Sequence, residues 1–245
     1  MKKSSGRASL FCVGMAILLT ACGGGNQKAA TVDTTAAADS AAKAQAANTI
    51  VTTPQNMVTV THKVANYAKW LAAYEAHDSA RLAAGLHNYV IGRGVQDSNM
   101  VLVALKVDDT AKAKAFAKDP GLKTAMKKGG VIGAPTITLS TETWQDTASL
   151  DPSVIRSLTS LTVKDWDTFV KSFDDGKQER TDNGIVARVV GHDLDNDKKV
   201  GLVTAMTDTA KAFAYYKSDA FKKRIEGGGV VGEPVRFLFH IVKRY

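Results

Sequence analysis

The chain carries the same segment twice, at a fixed separation of 99 residues, and this duplication limits its possible folds more than any other feature. Residues 101–113 align with residues 200–212, and both stretches contain Asp-Thr-Ala-Lys-Ala. A second pair, Gly-Gly-Val-x-Gly-x-Pro at 129–135 and 228–234, has the same separation. Without a gap, this offset gives 20 identities over the 76 positions from Val64 to Leu139. Each copy should therefore fold as the same unit.

Each copy predicts the element order strand, helix, strand, strand, helix, strand. In the first copy Asn66 can cap a helix whose apolar residues recur at helical spacing, and in the second copy Asp165 takes its place. Gly85 and Gly184 would end these helices. The elements predicted in the first copy are strand 57–62, helix 67–84, strands 87–93 and 100–107, helix 111–127 and strand 136–143. The order βαββαβ predicts an α+β, ferredoxin-like fold.

Three features together resemble the dimeric α/β-barrel superfamily, which includes antibiotic-biosynthesis-monooxygenase-like domains. They are the aromatic first helix, the second helix with Phe116-Ala-Lys-Asp-Pro-Gly-Leu-Lys-Thr-Ala-Met126, and the Gly-Gly-Val-Ile-Gly-Ala-Pro exit that follows it. In that superfamily two subunits place their sheets face to face. The resemblance implies that residues 56–147 and 154–245 do so within one chain, as an intrachain pseudo-dimer. A sheet covered by helices on one face still has another face to bury, so we expect a monomer.

Residues 1–21 have the pattern of a bacterial signal peptide. Lys2, Lys3 and Arg7 precede an apolar run at 10–19, which is shorter than the ~20 residues that span a bilayer. Leu-Thr-Ala-Cys at 19–22 resembles the lipobox of bacterial lipoproteins, which implies that Cys22 is lipidated. An ordinary secretory signal with a chance cysteine is the alternative. Gly23, rather than Asp, follows the cysteine, and in lipoproteins this implies the outer membrane, facing the periplasm.

Residues 22–55 should form the lipidated cysteine and a disordered tether, because Gly, Ala, Thr, Asp, Gln and Asn dominate there and offer little to bury. Cys12 would leave with the signal peptide and Cys22 would be modified, which excludes disulfides, thiol catalysis and cysteine-based metal sites. Loss of the signal peptide would lower the formal charge from +8 to +5. That modest charge, without an arginine-rich run, predicts no nucleic-acid partner.

The candidate ligand-binding residues lie on the first helix of each copy. Arg81 and Arg180 follow Tyr74 and Phe173 by seven residues, which places each arginine near the buried helix face. A buried guanidinium needs either an internal acid or carbonyl partner or an anionic ligand, and both remain open. The aromatic residues either belong to the core or line a ligand cleft. The predicted ligand-binding set consists of Tyr74, His77, Arg81, Phe173 and Arg180.

The sequence predicts no metal site and no cofactor. Asp193, Asp195 and Asp197 resemble the start of a calcium loop, but Lys198 and Thr204 stand where that pattern requires Gly and Glu, which favours a solvated turn. The five histidines have no metal-ligand spacing, and no nucleophile–base motif is visible, so the catalytic residues are unknown. The glycine-rich exits could bind an anion through backbone N–H groups, but a helix end and tight turn also explain them.

These features favour a membrane-anchored, non-enzymatic binding or interaction module, with a small apolar or aromatic ligand between sheet and helices. The resemblance implies an alternative, a monooxygenase-like enzyme of the same superfamily. Convergent polar groups inside an apolar cavity would favour the enzyme, and an interior filled by side chains would favour a structural role.

Overall fold

The computed structural model describes residues 49–245; the predicted signal peptide, Cys22 and most of the predicted tether lie outside the described residues. The strands are β1 Ile50–Val51, β2 Gln55–Val64, β3 Leu86–Gly94, β4 Met100–Val107, β5 Val131–Asp146, β6 Ile155–Val163, β7 Ile185–Asp193, β8 Asn196–Met206 and β9 Val230–Arg244. The helices are α1 Tyr67–Ala76, α2 Asp78–Ala83, α3 Thr110–Ala117, α4 Pro120–Lys128, α5 Trp166–Asp175, α6 Lys177–Asp182, α7 Thr209–Tyr216 and α8 Asp219–Gly227.

The two copies have the same topology. The strand order is β5-β2-β4-β3 in the first copy and β9-β6-β8-β7 in the second, with antiparallel pairing throughout. Each order is fourth, first, third, second along the chain, which is the ferredoxin-like arrangement. Every helix of the second copy has the bounds of its counterpart shifted by 99 residues. The predicted α+β class and the two βαββαβ repeats are confirmed.

Two further strand pairings join the copies into a closed barrel. Strand β3 pairs with β9, from Val90 opposite Arg244 to Gly94 opposite Phe239. Strand β5 pairs with β7, from Ser140 opposite Asp193 onward, and is the symmetry-related seam. Because the second strand of each copy pairs with the fourth strand of the other, the eight long strands leave no open sheet edge. The predicted intrachain pseudo-dimer is confirmed.

Successive side chains along a strand point to opposite faces of the sheet and pack in two different cores. In β2, Val58 and Val60 pack with Trp70 of α1, on the face covered by helices. Met57 points to the opposite face and packs in a cluster with Phe239 of the second copy. The helices therefore cover the outer face of the barrel, while the inner faces of the two sheets pack against each other.

Both long helices predicted in each copy are broken in two. Tyr74 is near the end of α1, and its carbonyl oxygen accepts hydrogen bonds from the His77 N–H group at 3.2 Å and from Arg81 Nη1 at 2.7 Å, where the regular α1 hydrogen-bond pattern ends. In the second predicted helix, Asp119 caps a new helix that starts at Pro120, and Ser218 caps the equivalent helix of the second copy. Within residues 49–245, no helix is long and apolar enough to cross a membrane.

Two strand predictions are corrected at their ends. The last strand of the first copy begins at Val131 instead of residue 136, because Gly133 has a φ of 72° and absorbs a register shift opposite β2. Strand β1, inside the predicted tether, pairs with the end of β5. Ile50 and Val51 are its two residues, and their pairing extends the folded region beyond the predicted start at residue 56.

The geometry of the barrel seams predicts that alanine substitution destabilises the fold at one glycine and not at another. A β-carbon on Gly191 would lie 2.6 Å from the carbonyl oxygen of Thr141 across the β5–β7 seam, whereas one on Gly201 of β8 would contact nothing within 4 Å. We expect Gly191→Ala to lower the free energy of unfolding by about 2 kcal/mol, because backbone must move to admit the methyl group. Gly201→Ala should leave it within about 0.5 kcal/mol. Urea denaturation followed by circular dichroism measures both; equal values would contradict the seam geometry.

Candidate functional site

Each copy encloses a small cavity between its helices and the outer face of its sheet. The repeat-1 cavity has a volume of about 80 Å³ and is lined by Val58, Val60, His62, Trp70, Ala73, Tyr74, His77, Arg81, Leu86, Val103, Leu105, Ala113, Phe116, Ala117, Leu122, Ala125, Met126, Gly129 and Ile137. The repeat-2 cavity has a volume of about 70 Å³ and is lined mostly by the counterparts of these residues, 99 positions later. Either cavity exceeds the ~10–15 Å³ that one water requires.

The predicted ligand-binding residues divide between the two cavities. Tyr74, His77 and Arg81 lie together in the wall of the repeat-1 cavity. Phe173 and Arg180 lie in the wall of the repeat-2 cavity. The predicted set therefore belongs to two separate sites, one in each copy, and its role in ligand binding stays a prediction.

Arg81 has several partners within its own copy. Only 4% of its surface is exposed, and Nη2 lies 3.0 Å from Asp78 Oδ1. Nη1 donates to the Tyr74 carbonyl at 2.7 Å, and Nε donates to Asn88 Oδ1 at 3.2 Å. The guanidinium carbon lies 3.7 Å from the centroid of the Tyr74 ring, a cation–π contact. These contacts provide the internal acid and carbonyl partners that a buried guanidinium needs.

Tyr74 is held in the same network. Its hydroxyl donates to Asn88 Oδ1, and Asn88 in turn donates to Asp78 Oδ1 at 2.6 Å. Burial raises the pKa of Tyr74 above its ordinary value. The hydroxyl is therefore protonated at neutral pH and already committed as a donor.

Arg180 has fewer internal partners than Arg81. Its Nη1 donates to the Phe173 carbonyl, and its guanidinium carbon lies 3.6 Å from the centroid of the Phe173 ring. The counterpart of Asp78 in this copy is Lys177, and the nearby Glu179 instead pairs with Arg224 at 2.9 Å. Burial lowers the pKa of Arg180, which is consistent with a less compensated charge.

His62 is the functional candidate that the sequence analysis missed. It lies in the wall of the repeat-1 cavity, is 4% exposed, and its ring centroid is 5.4 Å from that of Trp70. Within residues 49–245, neither of its ring nitrogens has a hydrogen-bond partner. Its counterpart in the second copy is Leu161. The feature of the sequence that could have indicated its burial is its position in β2, where it shares the helix-covered face with Val60 and Val64.

Burial also sets the protonation state of His62. Desolvation lowers its pKa from 6.5 to about 4, so the imidazole is neutral at pH 7. A neutral imidazole presents one N–H donor and one acceptor nitrogen. Leaving a buried polar group without a partner costs roughly 1–3 kcal/mol. The wall of the repeat-1 cavity therefore includes an imidazole whose buried nitrogens have no hydrogen-bond partner, among mostly apolar side chains.

The described residues contain no group of three or more His, Cys, Asp and Glu side chains that could hold a metal ion. The three aspartates that resemble a calcium loop lie at the β7–β8 hairpin. There the carboxylate of Asp195 accepts hydrogen bonds from Lys114 Nζ at 2.7 and 2.8 Å. This contact engages a carboxylate that a calcium ion would need, and it fits the solvated turn.

The chain matches no sequence-family profile and no curated protein. Solved structures do resemble it in fold. A Fusobacterium nucleatum subsp. nucleatum protein named "Putative monooxygenase" has a TM-score of 0.50 and 13% identity, over 78% of this chain and 93% of that chain. An anthrone oxidase-like protein has a TM-score of 0.56 and 15% identity, over 80% of this chain and 95% of that chain. The chain has the ferredoxin-like fold of dimeric α/β-barrel proteins, as its sequence predicts.

The buried imidazole predicts a specific pH dependence of stability. Because the pKa of His62 is about 4 in the folded state and 6.5 as a free side chain, the unfolded chain binds more protons between these values. Its contribution to stability is complete above pH 6.5 and is lost as the pH falls towards 4. In His62→Leu, which installs the residue of the second copy, we expect this loss to disappear. The stability of the variant relative to the native chain should rise by up to about 3 kcal/mol between pH 7.5 and 4.

Urea denaturation at pH 7.5, 5.5 and 4 measures this difference. Other titrating groups act equally in both proteins, so subtraction isolates His62. A difference that stays constant across the three pH values would contradict a buried, neutral imidazole.

Proposed function

We propose that the protein is a binding module whose ligand is a small, largely apolar or aromatic molecule with one polar group, held in the repeat-1 cavity. The observation that carries this proposal is the pair of unpartnered ring nitrogens of His62. The surrounding wall includes Trp70, Phe116 and Met126, which offer aromatic and flexible apolar contacts. A hydroxyl or N–H group on the ligand would pair with the imidazole.

The protonation states favour binding over catalysis. A general acid or base works best when its pKa lies near the operating pH. His62 has a pKa of about 4, and the pKa of Tyr74 is raised above its ordinary value, so both lie far from neutrality. The Arg81 guanidinium is already paired within the first copy, with the Tyr74 carbonyl and with Asp78. These states support a non-enzymatic module over the monooxygenase-like alternative.

The size of the cavity restricts the ligand. At about 80 Å³ it is smaller than the ~150 Å³ cavity that admits benzene in an engineered core. A single aromatic ring would therefore have to displace side chains such as Leu122 and Met126, both from α4, whose described residues include none that is fully buried. We infer that α4 shifts outward when the ligand enters.

Two probes of nearly equal shape test the role of His62. Phenol carries a hydroxyl that can donate to an imidazole nitrogen, and toluene carries a methyl group in its place. We expect the native chain to bind phenol about tenfold more tightly than toluene, and His62→Leu to lose that preference while still binding toluene. Isothermal calorimetry or backbone NMR shifts would measure both affinities.

His87→Leu is the matched control, because His87 pairs with Asp108 outside both cavities. It should keep the native preference for phenol. Failure of the native chain to bind either probe at millimolar concentration, or an unchanged preference in His62→Leu, would overturn the proposed site.

We also propose that this module is a monomer anchored by a lipid on Cys22, in the outer membrane facing the periplasm. The Leu-Thr-Ala-Cys sequence supports the anchor, and the two seams closed within one chain support the monomer. Cys22→Ala should release the protein from the membrane fraction or block its processing, as fractionation with immunoblotting would show. A variant that is still cleaved and still sediments with membranes would contradict the lipid anchor.

A further inference from the structure

A third cavity lies inside the barrel, away from the helices. Its volume is about 90 Å³, and its wall is formed by strand residues only: Met57, Thr59, Tyr89, Val90, Leu102, Ala104, Glu142, Gln145, Asp146, Arg156, Leu158, Arg188, Val189, Val203, Phe239, Ile241 and Arg244. Each of the eight barrel strands contributes, so the cavity is formed by both copies together. It shares no lining residue with the two helix–sheet cavities.

Three arginines of the second copy line this barrel cavity. Arg156 on β6 is 2% exposed and Arg188 on β7 is 6% exposed, whereas Arg244 near the end of β9 is exposed. Burial, together with the charges of Arg244 and Arg188, lowers the pKa of Arg156. The charges of Arg188 and Arg244 therefore act on a guanidinium group, that of Arg156, which is almost fully buried.

The acids in the wall do not balance these cations. Asp146 pairs with Arg188 at 2.7 Å, and Arg188 also donates to a backbone carbonyl. Glu142 accepts a hydrogen bond from Ser140 Oγ at 2.6 Å, and burial raises its pKa to about 7, so it is only partly ionised at neutral pH. Of the five charged side chains that line the cavity, three are arginines, and Asp146 is the one acid that forms an ion pair with any of them.

Arg156 is the least compensated of the three. Its Nη1 donates to the Val154 carbonyl at 3.0 Å, and within residues 49–245 it forms no ion pair. A charge that is almost fully buried is costly unless an opposite charge pairs with it. A carbonyl dipole supplies only part of that compensation.

The internal symmetry shows that the fold does not require cations at these positions. The counterparts of Arg156, Arg188 and Arg244 are Met57, Tyr89 and Gln145, which line the same cavity on the first copy. An uncharged residue therefore fits each of the three positions in the barrel. Packing alone therefore does not explain the three arginines.

We infer that the barrel cavity binds a small oxyanion, either a free anion or the carboxylate or phosphate group of a larger molecule, between Arg156 and Arg244. Guanidinium groups hold carboxylate and phosphate oxygens through paired N–H donors. The volume of about 90 Å³ exceeds the ~10–15 Å³ needed for one water several times over, which suits a small polyatomic anion. The exposed Arg244 places the entrance at its end of the barrel. This site is independent of the ligand proposed for the repeat-1 cavity.

Calorimetric titration of the full chain with inorganic phosphate, acetate and chloride at pH 7.5 and constant ionic strength tests the site. We expect phosphate or acetate to bind at least tenfold more tightly than chloride. Tighter binding of phosphate would identify a phosphate-bearing ligand, and tighter binding of acetate a carboxylate-bearing one; either result supports the oxyanion site. Equal, weak binding of all three anions would overturn it.

Exchange of residues between the copies supplies the variants. Arg156→Met and Arg244→Gln install the residues of the first copy, and each should weaken binding of the preferred anion at least tenfold. Arg93→Gln is the control, because Arg93 donates to the Ser98 carbonyl outside the barrel cavity and should not change the affinity. Unchanged affinity in Arg156→Met would overturn the proposal.

Thermal unfolding without anion gives a second reading that does not depend on binding. Removal of an uncompensated buried cation should raise the melting temperature of Arg156→Met in chloride buffer, and the preferred anion should then raise the melting temperature of the native chain only. A variant that melts lower than the native chain in chloride buffer would mean that internal contacts already satisfy Arg156, and would contradict the oxyanion site.

Discussion

Two strand pairings, β3 with β9 and β5 with β7, hold the two copies together and determine the interior of the barrel. A four-stranded ferredoxin-like sheet has one face covered by its helices and one face left bare. Each seam pairs the second strand of one copy with the fourth strand of the other, so the bare faces meet and both sheet edges disappear. Glycines at equivalent positions, Gly92 and Gly191, let the strands approach closely at the seams. The barrel cavity exists only because both seams close.

Fusion of the copies in one chain allows each to diverge from the other. In a symmetric dimer, any substitution appears twice, so a buried arginine would face its own copy across the axis. Here Arg156 has Met57 as its counterpart, and His62 has Leu161. The helices keep the same bounds in the two copies, shifted by 99 residues, while the side chains in their interiors differ. A polar group can therefore be present at a site in one copy and absent from the equivalent site in the other.

The repeat and the element order could be predicted from the sequence, because both depend on local periodicity and on a constant offset. The break between α1 and α2 could not, because it coincides with a contact between the Arg81 side chain and the Tyr74 carbonyl that no local sequence pattern indicates. The set of Tyr74, His77 and Arg81 could be predicted to share a helix face, and the structure places all three in one cavity wall. The isolation of His62 could not be predicted, because a missing partner is a property of the three-dimensional surroundings.

The β3–β9 seam also determines when the molecule can finish folding. Its pairs join residues 90–94 to residues 239–244, so almost the whole chain must be present before the seam can form. Contacts between such distant segments are slow to form, because the loop-closure entropy is lost before any pairing energy is gained. Until β9 arrives, the first copy has an unpaired β3 edge and a bare apolar sheet face. Strand β9 is thus the final piece of this fold, and a chain that lacks it would expose an edge open to aggregation.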